Sequence, residues 1–307
     1  MNQKIKEIIK ELSKNRTLYL FLVPAGLYVL FYGYLTLPYM IIAFERYNFK
    51  TGIRSEFVGL ANFRYFFSSS WAWTVTRNTL ILNFFFIIFT TLFAVLVALF
   101  LNEIKKGRLM KFSQSAMLFP YFISWVVVSY ILRSLLSYDG GMINKIIVLL
   151  GGNQINFYSS PQYWYPILVI LQVWKYTGYN SIIYLSAITA IDEGIYEAAY
   201  VDGASKLQRI RYVTLPLLFP TICVMILMAV GRIFYGDFGM FYAIIQDNGI
   251  LMNMGEVIDT YVFRTLKNTG DPSLSMAIGV YQSVIGFVLV CGSNYIVKKR
   301  FPEGSLF

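Results

Sequence analysis

The chain has 307 residues, 57% of them hydrophobic, 18% aromatic and only 14% charged, with a mean hydropathy of +0.58. That is more apolar than an ordinary soluble domain, so it argues against a soluble enzyme, a disordered chain or a disulfide-built secreted domain and for an integral membrane protein. The absence of histidine removes His-based triads and zinc motifs, and Cys223 and Cys291 sit in apolar stretches as small hydrophobes.

A membrane crossing needs roughly 20 apolar residues, and the stretches with few or no charges supply six. Before the first comes 1–16, where Ile5, Ile8, Ile9 and Leu12 share a helical face and lysines fill the others, an amphipathic helix for the inner leaflet surface. The spans are expected at about 17–44, 78–102, 112–133, 163–190, 219–245 and 273–297, the fourth holding Lys175 and the fifth Arg232 and Asp237. Ile143–Leu150 is too short to cross and reads as an interfacial or capping helix. A tail of 298–307 follows. The loops that would face one side hold fifteen basic residues and those on the other eight. By the positive-inside rule both termini are cytoplasmic. Most of the +10 net charge is thus topology, and no nucleic-acid partner is expected.

The segment 191–217, between spans four and five, is the informative loop. Ile195–Val201 reads as a short helix with good formers at Glu197, Ala198 and Ala199, Gly203 suits a turn, and Ala204–Val213 can resume as a second helix. Pro216 and Pro220 are then expected to stop that helix and start span five. The product is a helix–turn–helix knob suited to a groove on a soluble partner.

This pattern resembles the EAA motif of ABC importer permeases: Glu197-Ala-Ala, three residues, Gly203, nine residues, then Val213-Thr-Leu-Pro. The last element usually begins with Ile, so Val213 is a conservative departure. Phe21-Leu-Val-Pro-Ala-Gly, Tyr47-Asn-Phe, Phe57-Val-Gly-Leu-Ala-Asn-Phe and Asn78-Thr-Leu look like the first permease of maltose-type carbohydrate importers. Trp174-Lys-Tyr-Thr-Gly-Tyr-Asn, Ile258-Asp-Thr-Tyr-Val-Phe-Arg, Gly270-Asp-Pro-Ser and Val284-Ile-Gly-Phe resemble the subgroup that imports oligosaccharides from complex polysaccharides.

The resemblance implies an all-α, six-helix type I ABC importer permease in a bacterial cell membrane. It implies a coupling helix at Glu197–Ala204 docking into an ATPase cleft, with Glu197, Ala198, Ala199, Asp202, Gly203, Ala204, Leu215 and Pro216 as the coupling residues. It also implies a second homologous permease (a heterodimer), two ATPase subunits and an extracytoplasmic sugar-binding protein. The chain has no GxxxxGK[ST] phosphate loop. It is therefore expected to be no enzyme and to hold no cofactor, ATP and Mg belonging to the partner ATPase.

Charges within spans face a cavity or a partner. Trp174, Lys175, Tyr179, Asn180, Tyr235 and Asp237 are candidates for lining a sugar cavity, aromatic faces stacking on pyranose rings and polar groups bonding hydroxyls. The competing expectation is that Lys175 or Arg232 pairs with Asp237 and ties spans four and five together. An ion-coupled secondary sugar transporter is the alternative function. It fits less well, because the chain shows no convincing internal repeat and no buried carboxylate pair. A membrane-embedded enzyme would need a carboxylate or metal constellation that Asp192–Glu193 and Glu256–Asp259 do not supply.

Overall fold

The computed structural model describes residues 10–11, 14–104 and 107–300. The expected amphipathic helix of 1–16 and the tail beyond 300 lie largely outside the described residues. The chain is helical almost throughout. α1 (Arg16–Tyr28) runs on through a π turn and a 3-10 stretch to Phe44, and nothing from Arg16 to Tyr34 is buried. An antiparallel hairpin follows, β1 (Glu45–Asn48) and β2 (Gly52–Phe57), with Glu45 opposite Phe57. Next comes α2 (Ala61–Ser68). The side-chain amide of Asn62 donates to the carbonyls of Ala43 and Glu45, 2.9 Å each, and so ties this unit to the end of the first span.

α3 (Ser70–Glu103) is the longest element; at 1.5 Å per residue its 34 residues extend on the order of 50 Å. Ser69 caps its start by accepting from the Trp71 amide. α4 (Arg108–Phe122) and α5 (Trp125–Leu136) meet at 92°, so the stretch expected as span three is sharply bent at Ile123–Ser124. α6 (Met142–Leu149) is the short helix expected there. α7 (Trp164–Thr189) lies along α3 in the most extensive helix pair of the fold. α8 (Glu193–Val201) and α9 (Lys206–Val230) form the knob and the fifth long helix. The stretch after it holds three helices, α10 (Phe238–Ile245), α11 (Gly249–Gly255) and α12 (Ile258–Thr269), and α13 (Pro272–Arg300) ends the described chain.

Among the described residues four helices are long and apolar enough to cross a membrane: Arg16–Phe44, Ser70–Glu103, Lys206–Val230 and Pro272–Lys299. The bent α4–α5 pair makes a fifth. α7 has the length, at 26 residues, but falls short in apolarity, for it carries Gln172, Lys175 and Asn180.

Two elements differ from expectation in an instructive way. α9 is not stopped by Pro216 and Pro220; it runs through both. Residues Ile210–Thr214 wind as a π turn just ahead of Pro216, a local adjustment of the kind that accommodates a missing N–H. Conversely, the apolar run expected as span five does not stay helical. It leaves the helix after Val230 and resumes only at Phe238.

Three apolar clusters hold the bundle. One, around Leu82, Trp125, Trp164 and Phe241, joins α3, α5, α7 and α10. A second, around Ala94, Ala98, Tyr184 and Leu218, joins α3, α7 and α9 near the knob. The third, around Phe66, Val75, Phe234 and Ile278, joins α2, α3 and α13.

Candidate functional site

The knob is built from two helix caps set back to back. Asp192 caps α8 by accepting from the Gly194 amide at 2.9 Å. At the other end Gly203 has φ +78°, the Ala204 amide donates to Ala199 O at 2.9 Å and the Gly203 amide to Tyr200 O at 3.0 Å. That pair of bonds is a Schellman motif. It explains why position 203 is a glycine, since the motif needs a residue with positive φ there. Ser205 then opens α9 with a capping box: the Gln208 amide donates to its Oγ, and its own amide donates to Gln208 Oε1 at 2.7 Å.

Further contacts fix the knob to the bundle. Tyr196 Oη lies 3.0 Å from Thr214 Oγ1, Lys206 Nζ 2.9 Å from Glu103 Oε2, and the Arg209 guanidinium 5.8 Å from the centre of the Tyr200 ring. Between α8, α9 and the end of α3 lies a cavity of about 360 Å³. Outward, the knob presents apolar side chains: Tyr200 is 70% exposed, Val201 84% and Leu207 74%. Glu197, Ala198, Asp202 and Gly203 are exposed beside them; Ala199, Ala204 and Leu215 are half-buried, Leu215 against the second apolar cluster, and Pro216 is exposed.

The candidate cavity residues divide. Lys175, 5% exposed, donates to the carbonyls of Pro120 (3.3 Å), Tyr121 (2.9 Å) and Ile123 at the end of α4. Its ammonium thus meets the negative end of a helix and satisfies the carbonyls left open by the bend. It also lies 5.1 Å from the centre of the Trp125 ring. One turn on, Gly178 lets α4 come close: a Cβ there would stand 1.9 Å from Met117 O. Asp237 accepts from Trp125 Nε1 and Tyr176 Oη, both at 2.7 Å on Oδ2, and its Oδ1 caps α10 through the Met240 amide at 3.1 Å. Among the described residues no ion pair joins Lys175 or Arg232 to Asp237. The expected pairing is therefore not made. Lys175 and Asp237 each have their own partners: backbone carbonyls accept from the first, and three donors bond the second.

The remaining candidates are more open. Tyr179 is 44% exposed and stacks on Tyr121, ring centres 4.4 Å apart. Asn180 is half-buried. Trp174 opens onto an apolar groove of about 610 Å³ with Phe85, Phe89, Phe93 and Ile170. Tyr235 is partly exposed, its Oη 3.0 Å from Ser283 Oγ on α13.

The non-helical stretch from Gly231 to Gly236 is held by side chains from three other elements. Asn83 on α3 donates to the carbonyls of Ile233 (2.8 Å) and Tyr235 (3.2 Å). Gln282 on α13 donates to Phe234 O at 2.5 Å, and Asp259 on α12 accepts from the Gly236 amide at 2.6 Å. Burial pushes the Asp259 carboxyl above its ordinary value, despite these donors. The Glu256 carboxyl is likewise raised by burial, with Arg264 Nε 3.2 Å away opposing it. Sequence reasoning named neither Trp125, Tyr176, Asn83 nor Gln282. Tyr176 and Asp259 did lie inside the Trp174–Asn180 and Ile258–Arg264 motifs, where they bond Asp237 and the Gly236 amide.

The comparisons with known proteins agree with this architecture. The family model described as "Binding-protein-dependent transport system inner membrane component" matches residues 90–301. Protein LplB of Bacillus subtilis is 35% identical over 95% of this chain and 92% of that protein. The polygalacturonan/rhamnogalacturonan transport system permease protein YteP of the same organism is 34% identical over 98% and 94%. Among solved structures, a bacterial ABC transporter involved in the import of the acidic polysaccharide alginate superposes with a TM-score of 0.85 at 28% identity, covering 96% of this chain and 99% of its own. The chain is a multi-pass membrane protein with the ABC importer permease fold, and it belongs to the family of inner membrane components of binding-protein-dependent transport systems.

Proposed function

We propose that this chain is one permease subunit of an ATP-driven importer that takes up an oligosaccharide. An extracytoplasmic binding protein delivers the sugar, a second, homologous permease completes the pathway, and two separate ATPase subunits bind ATP and Mg and drive alternating access. The names of the relatives support a saccharide cargo. A solved relative in complex with an alginate pentasaccharide-bound periplasmic protein supports delivery by a binding protein. The chain crosses the membrane six times in this reading, α7 included, with both termini and the knob in the cytoplasm.

The single observation that carries the ATPase coupling is the knob. Apolar side chains are exposed on a turn whose shape is fixed by a Schellman motif, a capping box and contacts to α3 and α9. A stiff, apolar projection transmits a push; a flexible loop would absorb it. Glu197 adds one charge for basic groups on the ATPase cleft. Trp174, Lys175, Tyr179, Asn180, Tyr235 and Asp237 surround or support the sugar route in this reading, Lys175 and Asp237 by holding its walls.

Purification from native cells in mild detergent, with mass spectrometry of bound chains, tests the proposal. An ATPase and a second permease are expected to co-purify, and Gly203→Pro or Glu197→Lys to lose the ATPase while keeping the permease. A chain that stays alone and moves sugar in vesicles without ATP would be a secondary transporter.

A further inference from the structure

A groove of about 610 Å³ runs between α3 and α7, walled by Phe85, Phe89 and Phe93 on one side and by Val169, Ile170 and Trp174 on the other. Every side chain in its wall is apolar or aromatic. A saccharide brings a hydroxyl on most of its carbons and would shed its water there without regaining hydrogen bonds. The groove is therefore no place for a sugar.

The α3 wall continues toward the start of that helix as a stripe at four-residue spacing: Phe93, Phe89, Phe85 and Ile81, all exposed, and then Arg77. Arg77 is half-buried, forms no ion pair with a described residue, and its buried Nε has no hydrogen-bond partner. Its Nη2 donates to Asn78 Oδ1 at 3.3 Å, the same oxygen that accepts from the Tyr165 hydroxyl at 2.8 Å. Tyr165 is itself part of the groove wall, so the guanidinium stands at the groove's end. Asn78 is fully buried and held in turn, its amide donating to the carbonyls of Asn253 (3.0 Å) and Glu256 (3.1 Å). From Arg77 to Phe93 the helix advances about 24 Å. One bilayer leaflet with its headgroups is about 20–22 Å thick.

A cation without a carboxylate calls for an anion at that end, and the wall calls for hydrocarbon along the rest. A spanning helix from a partner fits this wall poorly. Such contacts favour glycine, alanine, serine and threonine, which let two backbones approach, whereas here rings project. A flexible acyl chain threads between them.

We propose that the groove is a phospholipid site, with Arg77 holding the phosphodiester and an acyl chain lying along Phe85, Phe89 and Phe93 against α7. The planar fork of the guanidinium suits two phosphate oxygens. The inference needs the membrane placement of the chain and not its cargo. A lipid seated there braces α7, whose Lys175 and Tyr176 hold the end of α4 and Asp237. Trp174 then supports the sugar route from behind.

The test uses the complex assembled with its second permease, in detergent and stripped of native lipid. It is titrated with phosphatidylglycerol brominated on its acyl chains, which quenches nearby tryptophan, and with diacylglycerol carrying the same chains. Phosphatidylglycerol is expected to bind roughly tenfold or more tightly than diacylglycerol, the scale of one charged hydrogen bond. Part of the quenching should vanish in Trp174→Phe. Arg77→Gln is expected to lower the phosphatidylglycerol affinity to that of diacylglycerol, and Arg77→Lys to restore part of it. Val169→Phe fills the groove without touching Arg77 and should weaken both lipids, so it decides the matter if Arg77→Gln fails to assemble. Equal affinity of the wild type for the two lipids would overturn the site, as would wild-type binding in Val169→Phe. Quenching that ignores Trp174→Phe would place the lipid elsewhere. No quenching at all would mean that the second permease covers the groove, and the proposal would fall.

Discussion

Trp125 joins Lys175 to Asp237: the Lys175 ammonium lies over the indole ring, 5.1 Å from its centre, and Asp237 accepts from the indole N–H at 2.7 Å. The two charges thus share a neighbour without sharing a bond. Asp237 is fitted to its place by the number of donors. Trp125 and Tyr176 donate to one of its oxygens and the Met240 amide to the other. An asparagine has a single oxygen, so its amide group would confront a donor whichever way it turned.

Asp237→Asn is therefore expected to cost about 2 kcal/mol, and Lys175→Met, which leaves several buried carbonyls without a donor, about 2–4 kcal/mol. Thermal unfolding of the detergent-solubilised complex measures both. The double variant should be less stable than either single one. Were the two residues an ion pair, removing both would be milder than removing one; a double variant more stable than Lys175→Met would restore the pairing rejected above.

Two glycines on long helices make opposite predictions. Gly178 faces α4 backbone, its missing Cβ only 1.9 Å from Met117 O, whereas Gly279 on α13 has nothing within 4 Å. Gly178→Ala must drive α4 and α7 apart and should destabilise by about 2–3 kcal/mol, the usual scale of overpacking. Gly279→Ala should be neutral or stabilise by about 0.5–1 kcal/mol, since alanine loses less backbone entropy in a helix. Equal melting temperatures for the two variants would contradict the close approach of α4 and α7.

What could be read from the sequence follows from how local each signal is. The knob was legible because its determinants are neighbours: Ala199 and Gly203 are spaced for a Schellman motif, and Ser205 and Gln208 for a capping box. The break after Val230 was not, because the groups that satisfy its carbonyls, Asn83 and Gln282, lie 150 and 48 residues away from the residues they bond. Lys175 stands out in the sequence as a charge in a span, but of its two expected roles the pairing with Asp237 is not made. Its true acceptors are backbone carbonyls, which leave no trace in a sequence. The hairpin of 45–57 and the helices α11 and α12 fell in stretches too polar for spans, where residue patterning was read only as loop.

Acid should tighten the α10–α12 region. Burial raises the carboxyls of both Asp259 and Glu256 from their ordinary values of 3.8 and 4.5. A carboxyl raised on folding binds its proton more readily in the folded state. Its contribution to stability is complete below the unfolded value and is lost as pH rises through the folded one. Stability of this region should therefore increase as pH falls toward the ordinary carboxylate range. Hydrogen exchange of residues 246–269, corrected for intrinsic rates, is expected to slow, and Asp259→Asn to flatten the response. Faster corrected exchange at pH 5 would contradict the assignment.

Substitutions on the knob should separate docking from folding. Val201 and Leu207 are so exposed that Val201→Asp and Leu207→Asp remove little packing within the chain, and stability should change by no more than about 0.5 kcal/mol. If the knob sits in an ATPase cleft, a carboxylate buried there without a partner should weaken ATPase binding by at least about tenfold. Gly203→Val acts differently. It forces a β-branched residue to φ +78°, at about 1–3 kcal/mol, and reshapes the turn itself. Gly203→Asn, which tolerates that conformation, should be milder on both counts. Titration of the purified ATPase onto variant permease pairs in nanodiscs reads the affinity, and the melting temperature of the permease pair reads the fold. Wild-type affinity in Val201→Asp and Leu207→Asp would move the docking surface away from the knob. Loss of affinity together with loss of stability would instead mark these side chains as structural.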